Sequence, residues 1–479
     1  MKGRLRVFLL FATFICWAHI MLAKSVSGVV KTVDGRAVAG VSVSDGFAVV
    51  QTDSEGAYQL MTAPQAIHIF ITIPAGYSMG KARGIPQFYQ ALNTADDKAQ
   101  TYDFYVQKTT SDEKHAMVAI GDPQVYKDRD VRVCDSYMED LMQHVKTSLP
   151  GLPVHGMVLG DITGDKPALL NPVKELFART SLPFFYVKGN HDLELGTRSH
   201  ETASVLFQAN FGPTYYSFNR GKIHYIVLDD VFYLGKGASY VGYLSEEVLA
   251  WLQQDLKFVS PGSTVVVALH IPTSTVYFRK NDAQQVLQNA AVLYAILANY
   301  RVHIISGHTH LHDHHHPAPN IWEHTQASVS GIFWQGPECA DGTPPGYTVY
   351  LADGDELSWY YKAIGSPADI QFRTYPVGTN PERMEEITAL VWNYDPHWKV
   401  VWYEDGIYMG DMENYVGRDP QTTADIVKNK SSYDYSWIWT TETNHLFAAK
   451  PKKVNSKIQI EVQDRFGKKY TTYVQHKKD

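Results

Sequence analysis

The chain has 479 residues, enough for about three domains, and is 44% hydrophobic and 19% charged, the balance of a soluble globular protein. It carries 43 Lys and Arg against 50 Asp and Glu, a formal net charge of -7. That excludes a histone-like or membrane-embedded protein and removes the overall attraction that drives non-specific nucleic-acid binding.

At the front, Lys2, Arg4 and Arg6 precede the apolar run Val7 to Ile20, and small residues follow at Ala18 and Ala23. This is the pattern of a secretory signal peptide over residues 1–23, cleaved after Ala23. The run is short of the roughly 18–20 apolar residues that a span needs. The mature chain is therefore expected to be exported, to a bacterial periplasm or cell surface, without a membrane span. Cys134 and Cys339 are the only cysteines beyond this segment, too few for a disulfide framework. Cys134 falls on a helical stripe with Val131, Met138, Leu141 and Val145, which predicts burial.

Residues 24–108 are β-rich and punctuated by turns at Asp34-Gly35, Asp45-Gly46 and Asp53 to Gly56, the pattern of a small antiparallel sandwich. The stretch from Gly28 through Gly40-Val41 to Thr52-Asp53 and Gly56-Ala57-Tyr58 resembles carboxypeptidase-regulatory-like β-sandwich modules. It holds no cluster of titratable residues and is read as structural.

Residues 111–340 alternate strand-length apolar runs with helical patterns, which predicts an α/β domain. The strands are Ala116–Ile120, Gly156–Leu159, Phe184–Val187, Ile223–Leu228, Thr264–Leu269 and Val302–Ile305, with helices over Val131–Thr147 and Ser245–Phe258. Tyr215 to Asp229 reads as a hairpin around Asn219-Arg220-Gly221, so the sheet is mixed. From residue 343 to 479 β character returns, with Trp359, Trp392, Trp398, Trp402, Trp437 and Trp439. Core packing is the preferred reading for these tryptophans, an aromatic binding face the alternative.

The chemistry lies where strands end. Ala116–Ile120 runs into Asp122-Pro123-Gln124, Gly156–Leu159 into Gly160-Asp161, and Phe184–Val187 into Gly189-Asn190-His191-Asp192. Thr264–Leu269 ends at His270, and Val302–Ile305 at Gly307-His308-Thr309-His310. Ligands of open α/β sheets bind beyond the carboxyl ends of strands. Alone, Asp122-Pro123-Gln124 and Gly160-Asp161 read as turns and His270 as a core histidine, whereas Gly189-Asn190-His191-Asp192 and Gly307-His308-Thr309-His310 carry weight by themselves. Five strand ends delivering Asp, Asp, Asn, His and a His pair to one edge are hard to explain as structure.

This set resembles the calcineurin-like metallophosphoesterase superfamily over residues 111–340, and the flanks resemble the accessory β domains of an exported bacterial group within it. The resemblance implies a central α/β/β/α sandwich between an N-terminal β-sandwich (24–108) and a mostly β C-terminal domain (343–479). It implies two divalent ions (Mn, Fe or Zn) and a phosphate-ester substrate attacked by a metal-bridging hydroxide. Asp122 and His310 then bind the first ion, Asp161 bridges, and Asn190, His270 and His308 bind the second. His191 is the catalytic acid and Asp192 orients it. A bridging carboxylate offsets the repulsion of two such cations, and neutral imidazole and amide ligands fill their shells. Gln124 stands where the first motif commonly has histidine; its carbonyl oxygen is a harder, weaker ligand. Asp165 either supports the site or caps a turn.

Monoester and diester both remain open, as do two alternatives: a degenerate cell-surface binding protein, and a nuclease or nucleotidase of the same superfamily. The acidic balance weighs against nucleic acid. Loops 194–202, 232–243 and 273–281 are expected to set access, with Arg198, His200, Arg279 and Lys280 as possible phosphate contacts. His312, His314, His315 and His316 read as an exposed hairpin, with a further metal site as the sharper alternative.

Overall fold

The computed structural model describes residues 24–93, 98–109, 111–276, 282–453 and 456–474, so the signal-peptide reading, Arg279 and Lys280 fall outside the described residues. The N-terminal segment forms two larger sheets and the two-stranded pair Lys81–Ala82 and Ile85–Pro86. Lys24–Thr32 is central to one, antiparallel to Ala57–Thr62 and parallel to Phe104–Lys108. The other orders Val49–Gln51, Ser42–Ser44, His68–Ile71 and Tyr89–Ala91. This unit docks through apolar packing, with Phe88 against Tyr216 (4.7 Å between centroids), and through polar contacts: Trp251 Nε1 donates to Ser44 Oγ (3.2 Å) and Tyr215 Oη to the Gly46 carbonyl (2.8 Å).

The middle of the chain builds two facing sheets. In the first, Phe184–Tyr186, Val154–Val158 and Lys114–Ile120 run parallel, and Gly346–Asp353 and Glu356–Ala363 complete it antiparallel. In the second, Tyr216–Arg220 and Ile223–Val227 form the hairpin, followed by Thr264–Ala268, Arg301–Ser306, Ile321–Thr325 and Asp313–Ala318. Both faces of Lys114–Ile120 are buried, which is why it reads as a continuous apolar run. Met117 and Ala119 share a buried cluster with Val266 and Ala268 on the second sheet's inner face, the face on which Tyr225 Oη meets His115 Nε2 (2.6 Å). Ala116, Val118 and Ile120 face Cys134, Met138 and Leu141 of the helix Asp128–Ser148 and Val173 and Phe177 of Leu170–Arg179. On the far side of the second sheet Glu246–Asp255 buries Val248, Trp251 and Leu252, and Ser245 Oγ caps it by accepting from Val248 N. The layers are therefore helix, sheet, sheet, helix. Cys134 and Cys339 are buried and unpaired.

The first sheet corrects one boundary. The hairpin Gly346–Ala363, expected in the C-terminal domain, pairs antiparallel with Lys114–Ile120 and belongs to the central sandwich. Local pattern could not reveal this, because an antiparallel edge hairpin looks alike in any sheet. Beyond it, two four-stranded sheets share a core of Phe372, Val391, Trp398, Trp402, Phe447 and Ile460. Trp359, Trp392, Trp398 and Trp402 are buried as expected of core residues, whereas Trp437 and Trp439 are 62% and 47% exposed. No helix among the described residues is long and apolar enough to cross a membrane.

Candidate metal centre

Every strand end singled out above delivers its polar residue to one edge of the sandwich. Asp122, Gln124, Asp161, His308 and His310 all have positive φ, between 38° and 70°. Such backbone is costly for non-glycine residues and persists where surroundings enforce it, typically at functional sites. The motif glycines allow the approach: a Cβ on Gly189 would lie 2.1 Å from Asp161 N, and one on Gly307 2.6 Å from Asp122 Oδ2.

Two groups of potential ligand atoms result. Asp161, His270 and His308 form one, Asp122, Asp161 and His310 the other, with the atoms of each within 4.8 Å of one another and all these residues buried. Asp161 belongs to both. Asn190 Oδ1 lies 3.0 Å from His270 Nε2 and joins the first. Gln124 sits beside Asp161, its Nε2 3.4 Å from Asp161 Oδ2, while its buried Oε1 has no hydrogen-bond partner. An orphaned carbonyl oxygen next to two buried carboxylates fits a cation ligand.

The surrounding bonds fix which ring nitrogens are free. His270 Nδ1 donates to the Leu159 carbonyl (2.7 Å), so Nε2 is the ring nitrogen turned to the centre, and Asp230 accepts from the His270 and Ile271 backbone N–H groups. His308 Nε2 donates to the Gln284 carbonyl (2.8 Å), leaving Nδ1 free, 3.1 Å from His270 Nε2. Such outer bonds orient metal-binding histidines. The backbone N–H of His308 donates to both Asp122 oxygens (3.0 Å), and that of His191 to Asp161 Oδ1 (2.8 Å).

Burial pushes Asp122 well above the usual carboxylate range. Asp161 feels the same burial, but His270 and then His191 outweigh it and hold it well below. Burial keeps His308 and His310 neutral, down at about 3 and about 4. A cation would compensate the buried carboxyls and use the neutral imidazoles, so the donor set fits the expected pair of ions.

One role moves. Asp192 accepts from Ile162 N (3.0 Å) and Gly189 N (2.8 Å) and so ties two ligand loops together. The partner of His191 is instead Asp165, whose Oδ2 lies 2.9 Å from His191 Nδ1. Against its burial, Asp161 and then Asp165 raise the His191 imidazolium to about 9. Asp165 stood open between two readings; its contact with His191 places it in support of the site rather than at a turn cap. Asp230 is a further residue of the site beyond those expected from the sequence; the signal for it is the same as for the others, a carboxylate just past the end of an apolar strand, Ile223–Leu228. His200 stacks on Phe232 (4.5 Å between centroids) and accepts from Tyr233 N, so it braces a loop rather than presenting itself to phosphate.

Beside His308 and His310 opens a cavity of about 590 Å³, walled by Leu311, Phe333, Trp437 and Trp439. Phe333 packs on His310 (4.6 Å) and against Trp437 (5.0 Å). Sequence order could not have joined these residues, because the tryptophans arrive from a segment more than 100 positions downstream.

Three family models match the chain in succession. N terminal of calcineurin-like phosphoesterase matches residues 24–109, calcineurin-like phosphoesterase 116–312, and C terminal of calcineurin-like phosphoesterase 323–470. Purple acid phosphatase 15 of Arabidopsis thaliana is 24% identical over 272 residues, covering 54% of this chain and 44% of that protein, so the chain spans less than half of the relative's length. Among solved structures, a dimetal phosphatase from Danio rerio aligns at 14% identity and a TM-score of 0.37, covering 52% of this chain and 96% of its own. Purple acid phosphatase PPD1 of yellow lupin, Lupinus luteus, aligns at 10% identity and a TM-score of 0.37, covering 68% of each chain. With successive models accounting for all three segments, the chain belongs to the calcineurin-like phosphoesterases, metallophosphoesterases for which the family implies a dimetal centre and a phosphate-ester substrate.

Proposed function

We propose that the chain hydrolyses a phosphate ester at this centre, with Asp122, Gln124, Asp161 and His310 holding one divalent ion and Asp161, Asn190, His270 and His308 the other. The observation that carries the reading is the pair of ligand groups sharing Asp161. Two ions there would supply Lewis-acid charge to the phosphoryl oxygens and a water that ionises near neutral pH. His191 holds a proton at Nε2, the ring nitrogen left free by its Asp165 bond, and passes it to the leaving oxygen. Asp192 keeps the Asp161 and Asn190 loops together. The aromatic cavity takes the organic part of the ester, which favours a planar or apolar leaving group.

The test is the metal-stripped chain reloaded with manganese and offered p-nitrophenyl phosphate and its bis ester, with Asn190→Ala as control. Turnover that the control lacks supports the reading, and the preferred ester separates monoesterase from diesterase. Bound metal with no turnover of either ester, or of alkyl and aryl phosphates beyond them, would revive the binding-protein alternative. We also propose export, supported by the pattern of residues 1–23 alone. A mature N-terminus at Lys24 is the expected result, and an intact Met1 in the cell-associated protein would refute it.

A further inference from the structure

The histidine run after the last motif is not an exposed hairpin. Asp313–Ala318 is a strand paired with Ile321–Thr325, and of the four histidines His312 and His314 are buried, 3% exposed each. His312 Nε2 lies 2.8 Å from His314 Nε2, and Asn393 Oδ1 lies 3.1 Å from the first and 2.8 Å from the second. These three atoms form a closed triangle with hydrogen-bond-length edges.

Hydrogen bonds alone cannot satisfy that triangle. In a given tautomer an imidazole nitrogen either donates or accepts, an amide oxygen only accepts, and an amide nitrogen only donates. Donors and acceptors must alternate around a ring, and three members cannot alternate. Whichever protons are assigned, and whichever way the amide is turned, one edge sets donor against donor or acceptor against acceptor. A cation at the centre removes the conflict, because all three atoms then present lone pairs.

The surroundings agree. His314 Nδ1 lies 2.8 Å from His324 Nδ1, and His324 Nε2 lies 3.0 Å from His303 Nδ1. With His314 Nδ1–H donating to His324, and His324 Nε2–H donating to His303, His314 Nε2 is left bare. For His314 this is the outer bonding that metal-ligating histidines use, while His312 Nδ1 is buried without a partner. His445 Nδ1 is buried without a partner, its ring 6.4 Å from that of His312, and is available as a fourth ligand or as partner of a bound water. Asp341 and Asp395, 2% and 0% exposed, lie close enough to act on His445 and His314, and Asp395 also faces Arg465 (3.5 Å).

We infer that His312, His314 and Asn393 form a third metal site, separate from the dimetal centre, for a borderline divalent cation of the zinc class. Two imidazoles and one amide oxygen suit zinc better than magnesium or calcium, which prefer all-oxygen shells. The ligands come from two units: the histidines from the central sandwich, Asn393 from the loop after Ile387–Val391, and His445 from Thr443–Ala449. The ion therefore pins the C-terminal domain to the second sheet. The inference does not depend on the proposed reaction.

The full chain is loaded with zinc, desalted, and its metal content measured by mass spectrometry beside His314→Leu and Asn393→Leu. The expected result is one zinc per chain fewer in each variant, with p-nitrophenyl phosphatase activity retained and the wild type losing thermal stability when that zinc is withdrawn. Equal zinc content in wild type and variants would overturn the proposal. Should the variants fail to fold, anomalous diffraction from wild-type crystals at the zinc edge decides. A peak between the three atoms supports the site; peaks at the dimetal centre alone overturn it.

Discussion

Replacing Asp165 by Asn tests whether this carboxylate, rather than Asp192, prepares His191 for proton transfer. Asparagine keeps an oxygen that can accept from His191 Nδ1 and removes only the charge. A hydrogen bond to a charged group is worth about 1.5–3 kcal/mol when buried. Here the side chains are 28% and 39% exposed, so solvent reduces the charge contribution to about 1 kcal/mol, or roughly fivefold in rate. The effect should depend on the leaving group. A p-nitrophenolate departs without a proton, whereas an alkoxide needs one, so kcat for an alkyl phosphate should fall about fivefold while that for p-nitrophenyl phosphate changes less than twofold. Metal content should not change, because Asp165 belongs to neither ligand group. Asp192→Asn, by contrast, breaks the bridge between Gly189 and Ile162 and should lower metal content first. Equal falls for both leaving groups, or metal loss in Asp165→Asn, would refute the assignment.

Gly189→Ala places a methyl 2.1 Å from backbone at Asp161; displacing that ligand should cost about 1–3 kcal/mol of stability in a urea titration and reduce bound metal. Chelation should lower the melting temperature reversibly, since an ion at 100 times its dissociation constant contributes about 2.7 kcal/mol, and a scan with and without manganese checks it. Trp437→Ala should lower kcat/KM about two- to tenfold for aryl phosphates and leave methyl phosphate unaffected, if the ring contributes an aromatic contact of ordinary strength. Acid should destabilise the fold through His115, which burial holds at about 4 against an ordinary 6.5. The unfolded chain takes up this proton first, so the stability is complete above pH 6.5 and is lost between about 6.5 and 4, about 3 kcal/mol in all. In His115→Gln the urea midpoint should fall less steeply over that range.

The inner strands of the central sandwich, such as Lys114–Ile120, Ile223–Val227 and Thr264–Ala268, were legible because they are buried on both faces and therefore read as short, uninterrupted apolar runs. So were the residues of the candidate centre, since a strand end is a local feature: Gly-Asp, Gly-Asn-His-Asp and Gly-His-Thr-His announce themselves by polar side chains where an apolar run stops. Every relation between distant segments had to wait for tertiary structure. Gly346–Ala363 joined the catalytic sheet because pairing register is set by the partner strand, not by the hairpin itself. Asp165 rather than Asp192 reached His191 because the loop after Gly160-Asp161 brings its carboxylate to 2.9 Å from the His191 ring, while Asp192 is spent on backbone N–H groups. Trp437 came to wall the cavity, and Asn393 closed on two histidines, across separations that no periodicity spans. Local chemistry selects which residues can bind a metal or phosphate; which of them meet is decided by how the sheets stack.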